Sequence, residues 1–232
     1  MKLVRLIGKH RSFGRTAALR AIASGRVTVN GTPEINAARE IDRFSQVCLD
    51  GVSVQAGGRA LYLMLHKPVG VVSATTDADH PTVIDLIDDP DKHTLHIAGR
   101  LDRSTTGLIL LTNDGAWSKR ITEKAFQIPK TYLVETRDPI PPETVEAFAR
   151  GFHFHTEEIT SLPADLEVLD TRLARLTLRE GRYHQVKRMF HRVNNRVVSL
   201  HRESIGGIRL PEDLAPSQWR PLSTHEMGSL TA

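Results

Sequence analysis

Residues 96–115 read HIAGRLDRSTTGLILLTNDG. Two apolar stretches, LHIAG and GLILL, flank the polar turn LDRSTT, and neither is long enough to make a helix of ordinary length. The segment therefore reads as two neighbouring strands with no crossover helix between them. Asp102 lies in the turn between Arg100 and Arg103. On the residues alone it has two opposite readings. It could be a surface salt bridge, which contributes little. It could also be a carboxylate held ionised by nearby cations, as a site prepares a nucleophile or a base.

Outward from this stretch the pattern repeats. YLMLHKPVGVVS, KTYLVET, ADLEVLDTRLARLTLRE and NRVVSLHRESIGGIRL are further strand candidates, rich in branched residues and separated by turn signals. VEAFARGFHF and YHQVKRMFHRV read as helices, the second because Val186, Met189, Phe190 and Val193 recur at helical spacing. Strands outnumber helices and several follow one another directly. The expected fold is α+β, with a mostly antiparallel sheet flanked by helices and loops.

The first 50 residues differ in character. VRLIGKH and TAALRAIASG have helical apolar spacing, the second ending at Ser24-Gly25. RVTVNG and QVCLDGVSV alternate apolar and polar residues around Asn-Gly and Asp-Gly, which are hairpin signals. SVQAGGRA, residues 53–60, reads as a linker. The expected division is a small accessory domain at 1–58 and a larger domain at 59–232.

Composition narrows the function classes. The 232 residues are 40% hydrophobic and 25% charged, with no apolar run near the roughly 20 residues that span a bilayer. The basic, interrupted N-terminus does not read as a signal peptide. A cytoplasmic protein without a membrane partner is expected. Cys48 is the single cysteine, which leaves no intramolecular disulfide and no cysteine cluster for zinc; no metal site is expected. The net charge of +4 is uneven: residues 1–60 hold ten Lys or Arg against four Asp or Glu, and residues 179–209 hold eight against two. Two basic clusters suggest a polyanionic partner, most commonly nucleic acid.

HIAGRLDRSTTGLILLTNDG, PKTYLV and REGRYHQVKRMF, in that order, resemble the three signature segments of pseudouridine synthases in the group that includes the ribosomal small-subunit enzyme. DADHPTVIDLI, VVSLHRESIGGIRL and DLAPSQWRPL extend the resemblance nearly end to end. The N-terminal stretch resembles the small RNA-binding domain named for a small-subunit ribosomal protein, although Val4 stands near where that family carries an acid. The resemblance implies isomerisation without a cofactor: uracil is detached from ribose at N1, turned, and rejoined through C5.

By the same resemblance Asp102 corresponds to the catalytic aspartate, Lys187 to its basic partner, and Tyr132 to an active-site tyrosine able to stack on uracil and assist proton removal at C5. Leu200 corresponds to an apolar position lining the far side of the base. The target nucleotide must leave its stack to be reached, and Arg100 resembles the arginine that fills the vacated space. Strand alternation would point Arg100 and Asp102 to the same side. Arg182, His184 and Arg188 are candidates for phosphate contacts. The implied partner is ribosomal RNA, in an assembling small subunit, met by a monomer. Three other readings remain: the same chemistry on large-subunit RNA, a non-catalytic RNA-binding assembly factor, and a nucleosidase, for which no paired carboxylate is evident.

Overall fold

Both short hairpins near the N-terminus turn at their Asn-Gly and Asp-Gly pairs. In the computed structural model, which describes residues 1–10, 13–154 and 157–230, Asn30 and Gly31 have φ of 51° and 80°, and Asp50 and Gly51 have 51° and 77°. Two consecutive positive φ values give the turn whose twist matches the strands it joins. Helices α1 (Leu3–Lys9) and α2 (Arg15–Ala23) precede strands β1 (Val27–Val29), β2 (Thr32–Pro33), β3 (Val47–Leu49) and β4 (Val52–Gln55). The sheet order is β2-β1-β3-β4. Leu3, Ile7, Ala18, Ile22, Val27, Val29 and Val47 form a core of their own. The chain divides into two units, Met1–Ala60 and Leu61–Ala232.

The expected linker at 53–60 is shorter than its composition suggested. Val52–Gln55 completes β4. Gly57, at φ 76°, lies so close to its neighbours that a Cβ there would be 2.7 Å from the Phe44 carbonyl oxygen. Small residues here serve close packing as well as connection.

The second unit contains β5 (Tyr62–Lys67), β6 (His96–Ile97), β7 (Thr106–Thr112), α3 (Gly115–Thr122), β8 (Lys130–Thr136), α4 (Glu143–Arg150), β9 (His153–Phe154), β10 (Ile159–Thr160), β11 (Asp165–Asp170), β12 (Leu173–Leu178), α5 (Gln185–Arg192), β13 (Val197–Ile205), β14 (Ile208–Arg209), β15 (Trp219–Pro221) and α6 (Thr224–Gly228). β9 and β10 pair separately; the other strands form one nine-stranded sheet with the path β11-β12-β8-β13-β7-β5-β15. Its pairs are antiparallel except β13 against β7, where His201 and Arg202 run parallel to Thr106 and Gly107. No helix among the described residues is long and apolar enough to cross a membrane.

Both faces of the sheet centre are covered, which explains why GLILL does not alternate. Leu108 and Leu110 join Trp117 and Ile121 of α3, whereas Ile109 and Leu111 join Leu63, Val83 and Ile87 on the opposite side. Strands buried on both faces read as continuous apolar runs. A third cluster joins Tyr132 and Val134 of β8, Leu176 of β12 and Leu200 of β13 to Phe148 of α4 and Phe190 of α5. In the sequence pattern α5 is foreshadowed by Val186, Met189 and Phe190, all buried.

Several expected elements are shorter than their apolar runs, and the strand expected through YLMLHKPVGVVS ends at Lys67. The helix expected through VEAFARGFHF ends at Arg150, where Gly151 takes φ 78° and His153–Phe154 turns into β9. The strand expected through LHIAGRLD stops at Ile97, and residues 98–105 form a loop. Gly99 turns away at φ 98°. The edge of β7 that would continue the ladder is occupied by β13 at Thr106–Gly107. Alternation along a strand therefore does not set the directions of Arg100 and Asp102.

Candidate active site

A cavity of about 730 Å³ opens over the 98–105 loop, and its lining includes Asp102, Tyr132, His184, Lys187 and Leu200. Asp102 is contributed by the loop itself. One of its carboxylate oxygens lies 3.3 Å from Lys187 Nζ and the other 3.4 Å from His184 Nε2. Lys187 Nζ also donates to Ser104 Oγ at 2.9 Å. Lys187 sits in the first turn of α5, and His184 just before it in the left-handed region, at φ 48°. Tyr132 and Leu200 come from the paired strands β8 and β13, in one hydrophobic cluster with Leu101. An anionic group beside two basic side chains thus faces an aromatic ring and an apolar wall.

The loop is shaped from beneath by groups that its own sequence does not contain. Arg202, 1% exposed, donates from Nε to Leu108 O at 2.8 Å, from Nη2 to Gly99 O at 2.8 Å and from Nη1 to Arg100 O at 3.3 Å. Lys67, fully buried, donates to the carbonyls of Pro68, Arg103 and Thr105. Ser73 Oγ bonds both the carbonyl and the amide of Leu101. Carbonyl oxygens collected on buried cations fix the backbone on both sides of Asp102, so its side chain starts from a held position.

Burial pushes the Lys67 ammonium down to about 8; Asp102 opposes the shift and Arg202 adds to it. Lys130, whose Nζ donates to Ile128 O and which also lines the cavity, is likewise pushed down to about 8 by burial, with Arg202 contributing. Among the described residues none of these three cations is paired with a carboxylate. The unfolded chain keeps the lysine proton to about pH 10.4, whereas the folded chain releases it near 8. Between those values the unfolded state binds more protons, so stability rises with pH. Relative to Lys130→Met, the native chain should gain on the order of 2–3 kcal/mol between pH 8 and pH 10. Urea denaturation of both proteins across that range measures it, and a constant difference would contradict the burial of a charged lysine.

Seven of the eight residues singled out from the sequence line this one cavity: Asp102, Tyr132, Lys187, Arg100, Arg182, His184 and Leu200. Their surroundings differ. Arg100 is exposed, whereas Arg182 donates to Glu180 Oε2 at 3.0 Å and lies 3.9 Å from Glu157. Arg188 lines a neighbouring cavity instead; its guanidinium sits 4.0 Å from the centre of the Phe154 ring and binds Glu157 Oε1 at 2.5 Å. Sequence reasoning missed Lys67, Ser73, Lys130 and Arg202. A signal was present for Arg202: it alternates with Leu200 and Ser204 on the inward face of β13, where an arginine is costly unless its donors are satisfied.

Residues 61–192, which hold Asp102, Tyr132 and Lys187, match the family described as RNA pseudouridylate synthase. The chain belongs to that family. A Pseudomonas aeruginosa protein named ribosomal small subunit pseudouridine synthase A is 49% identical over 230 residues, covering 99% of this chain and all of the relative. Its namesake from Escherichia coli K12 is 48% identical over 232 residues, again with 99% and 100% coverage. A crystal structure of a pseudouridylate synthase superposes with a TM-score of 0.72 at 38% identity, each chain fully covered. The α+β architecture and mostly antiparallel sheet of this RNA pseudouridine synthase are thus those of its solved relative. β13, with Leu200 and Arg202, lies beyond the matched segment. The relatives covered over their full length carry the likeness through that strand as well.

Proposed function

We propose that this pseudouridine synthase converts a uridine of small-subunit ribosomal RNA to pseudouridine, with Asp102 as the reacting carboxylate. The observation that carries the assignment is the meeting of Asp102, Lys187 and Tyr132 in one cavity from three separate segments of chain. The names of the full-length relatives support the choice of small-subunit RNA.

In the reaction the C1′–N1 bond breaks, uracil turns, and a C1′–C5 bond forms. C5 then loses its proton and N1 gains one, so the change is redox-neutral and needs no cofactor. Attack at C1′ and proton removal at C2′ ask the same of Asp102: an unprotonated oxygen aimed at the ribose. Lys187, at 3.3 Å, sets a positive charge beside that oxygen. Tyr132 and Leu200 hold the flipped base between a ring and an apolar wall, and the Tyr132 hydroxyl serves proton removal at C5. Arg100, exposed at the cavity rim, fills the space left in the RNA. Arg182, His184 and Arg188 meet phosphates, the two arginines by exchanging carboxylate partners for the RNA backbone. The enzyme works in the cytoplasm as a monomer on the assembling subunit.

Tritium release from C5-labelled uridine, in small- and large-subunit transcripts and in partly assembled subunits, tests the function. Release from small-subunit RNA alone is expected. Release only from large-subunit RNA would move the substrate, and none from any form would leave an RNA-binding assembly factor. In the same assay Lys187→Met should lower turnover at least about tenfold, the equivalent of ~1.4 kcal/mol in the barrier. Near-normal rates would remove Lys187 from the reaction.

The unit Met1–Ala60 is proposed as an accessory RNA-binding domain. Arg5, Lys9, Arg15 and Arg20 are exposed on α1 and α2, opposite the buried Leu3, Ile7, Ala18 and Ile22. Among the described residues none of the four is paired with a carboxylate. Deleting this unit should weaken RNA binding and flatten its salt dependence by about 0.7–0.9 in log–log slope for each phosphate that the unit neutralises. An unchanged slope in a filter-binding titration would show that the unit does not touch RNA.

A further inference from the structure

Tyr183 is out of keeping with a residue in a fixed turn beside a reacting carboxylate. It is 77% exposed, more than any other large hydrophobic side chain among the described residues. Its ring lies flat on His184, with centroids 3.9 Å apart and planes at 19°. One face of the tyrosine is therefore covered and the other open. His184 in turn reaches Asp102 at 3.4 Å.

The turn that presents this pair is rigid. Glu180 and Gln185, 4% and 3% exposed, bond through Gln185 Nε2 and Glu180 Oε1 at 2.7 Å. Gln185 Oε1 accepts from the Arg182 amide at 3.0 Å, and the Tyr183 carbonyl accepts from Arg188 Nη1 at 3.3 Å. His184 is held at φ 48°, a conformation that few side chains adopt without support from their surroundings. An open aromatic face on a clamped backbone loses little entropy when a flat ligand covers it. The flat groups that arrive with the substrate are nucleobases.

The geometry points to Tyr183 as a stacking platform for the base adjoining the flipped uridine. The inference rests on the assignment of the cavity to a target uridine in RNA. The platform reads no hydrogen-bond pattern, because every base offers a π face; it anchors the flanking nucleotide beside the cavity and so adds to the affinity for RNA without acting on the reacting uridine. Stacking on an aromatic residue changes affinity by about 5- to 150-fold per base on alanine substitution.

Tritium-release kinetics on small-subunit RNA, followed for the wild type first, test the inference. Absence of release by the wild type would bear on the function alone. With an active wild type, Tyr183→Ala should raise KM about tenfold or more while kcat falls less than twofold. Tyr183→Phe should restore KM and Tyr183→Leu should not, since stacking needs a ring and an apolar contact does not. Tyr183→Trp should keep a low KM, and its indole emission should be quenched as RNA saturates the enzyme, against the wild-type signal from Trp117 and Trp219. An unchanged KM in Tyr183→Ala, rescue by leucine, a fall in kcat without a change in KM, or unquenched emission in an RNA-bound Tyr183→Trp would each overturn the platform.

Discussion

Asp102→Asn is expected to reduce tritium release by more than about 10³-fold and to leave RNA affinity within about threefold, as when a group that acts only in the reaction is removed. Asparagine matches aspartate in size. Its carbonyl oxygen can still accept from Lys187, and the carbonyls of Gly99, Arg100, Arg103 and Thr105 stay on Arg202 and Lys67. What disappears is the negative charge and the oxygen able to bond to C1′ or to take a proton from C2′. Comparing single-turnover rates with equilibrium binding separates these effects. Turnover within tenfold of the wild type would require another group to carry the chemistry, and among the described residues no second carboxylate joins the ion pairs with Lys187 and His184.

Gly107→Ala should be nearly as damaging, through the fold. Gly107 has φ 107°, and a Cβ built on it would lie 2.6 Å from the Arg202 amide nitrogen, with the Arg202 carbonyl also in the way. Both obstacles are backbone atoms of β13 in its parallel register with β7. Backbone strain of that kind costs about 1–3 kcal/mol, and separating the two strands adds to it. A loss of about 3 kcal/mol or more is expected in urea denaturation, with activity falling as Arg202 leaves the loop. Gly115→Ala is the control: it opens α3, its Cβ would meet nothing within 4 Å, and its φ is not positive. That change should be neutral or stabilising by up to about 1 kcal/mol. Equal midpoints for the two variants would show that the β7–β13 pairing can relax.

The contrast between these two glycines marks what a sequence conveys. Features governed by neighbours in the chain were legible: the Asn30-Gly31 and Asp50-Gly51 turns, the strand at Lys130–Thr136, and the buried stripe of α5 all follow from local rules. The grouping of Asp102, Tyr132 and Lys187 came from the resemblance of three short segments; no periodicity would have brought residues 30 and 55 positions apart into one cavity. Features decided by distant partners were hidden. LHIAGRLD has the composition of a strand, yet β13 occupies the edge it would have needed. Arg188 reads as one more basic residue of a basic helix, and only the fold supplies Phe154 and Glu157 beside it. The partners of Lys67 and Arg202 are main-chain carbonyls, which no side-chain pattern records; for Arg202 only its alternation with Leu200 and Ser204 pointed inward.

The bonds from Arg202 to Gly99, Arg100 and Leu108 span 103, 102 and 94 residues of chain. Contacts of such separation form late, since the entropy of closing the intervening loop must be met before they stabilise anything. During synthesis Lys67 and Ser73 emerge before the Asp102 loop that they bond, but the Gly99 and Arg100 carbonyls have no Arg202 to hold them until β13 has left the ribosome. The full set of bonds that holds the loop therefore waits for β13, so a nascent fragment ending before β13 would lack the reactive geometry even with Asp102, Tyr132 and Lys187 all in place.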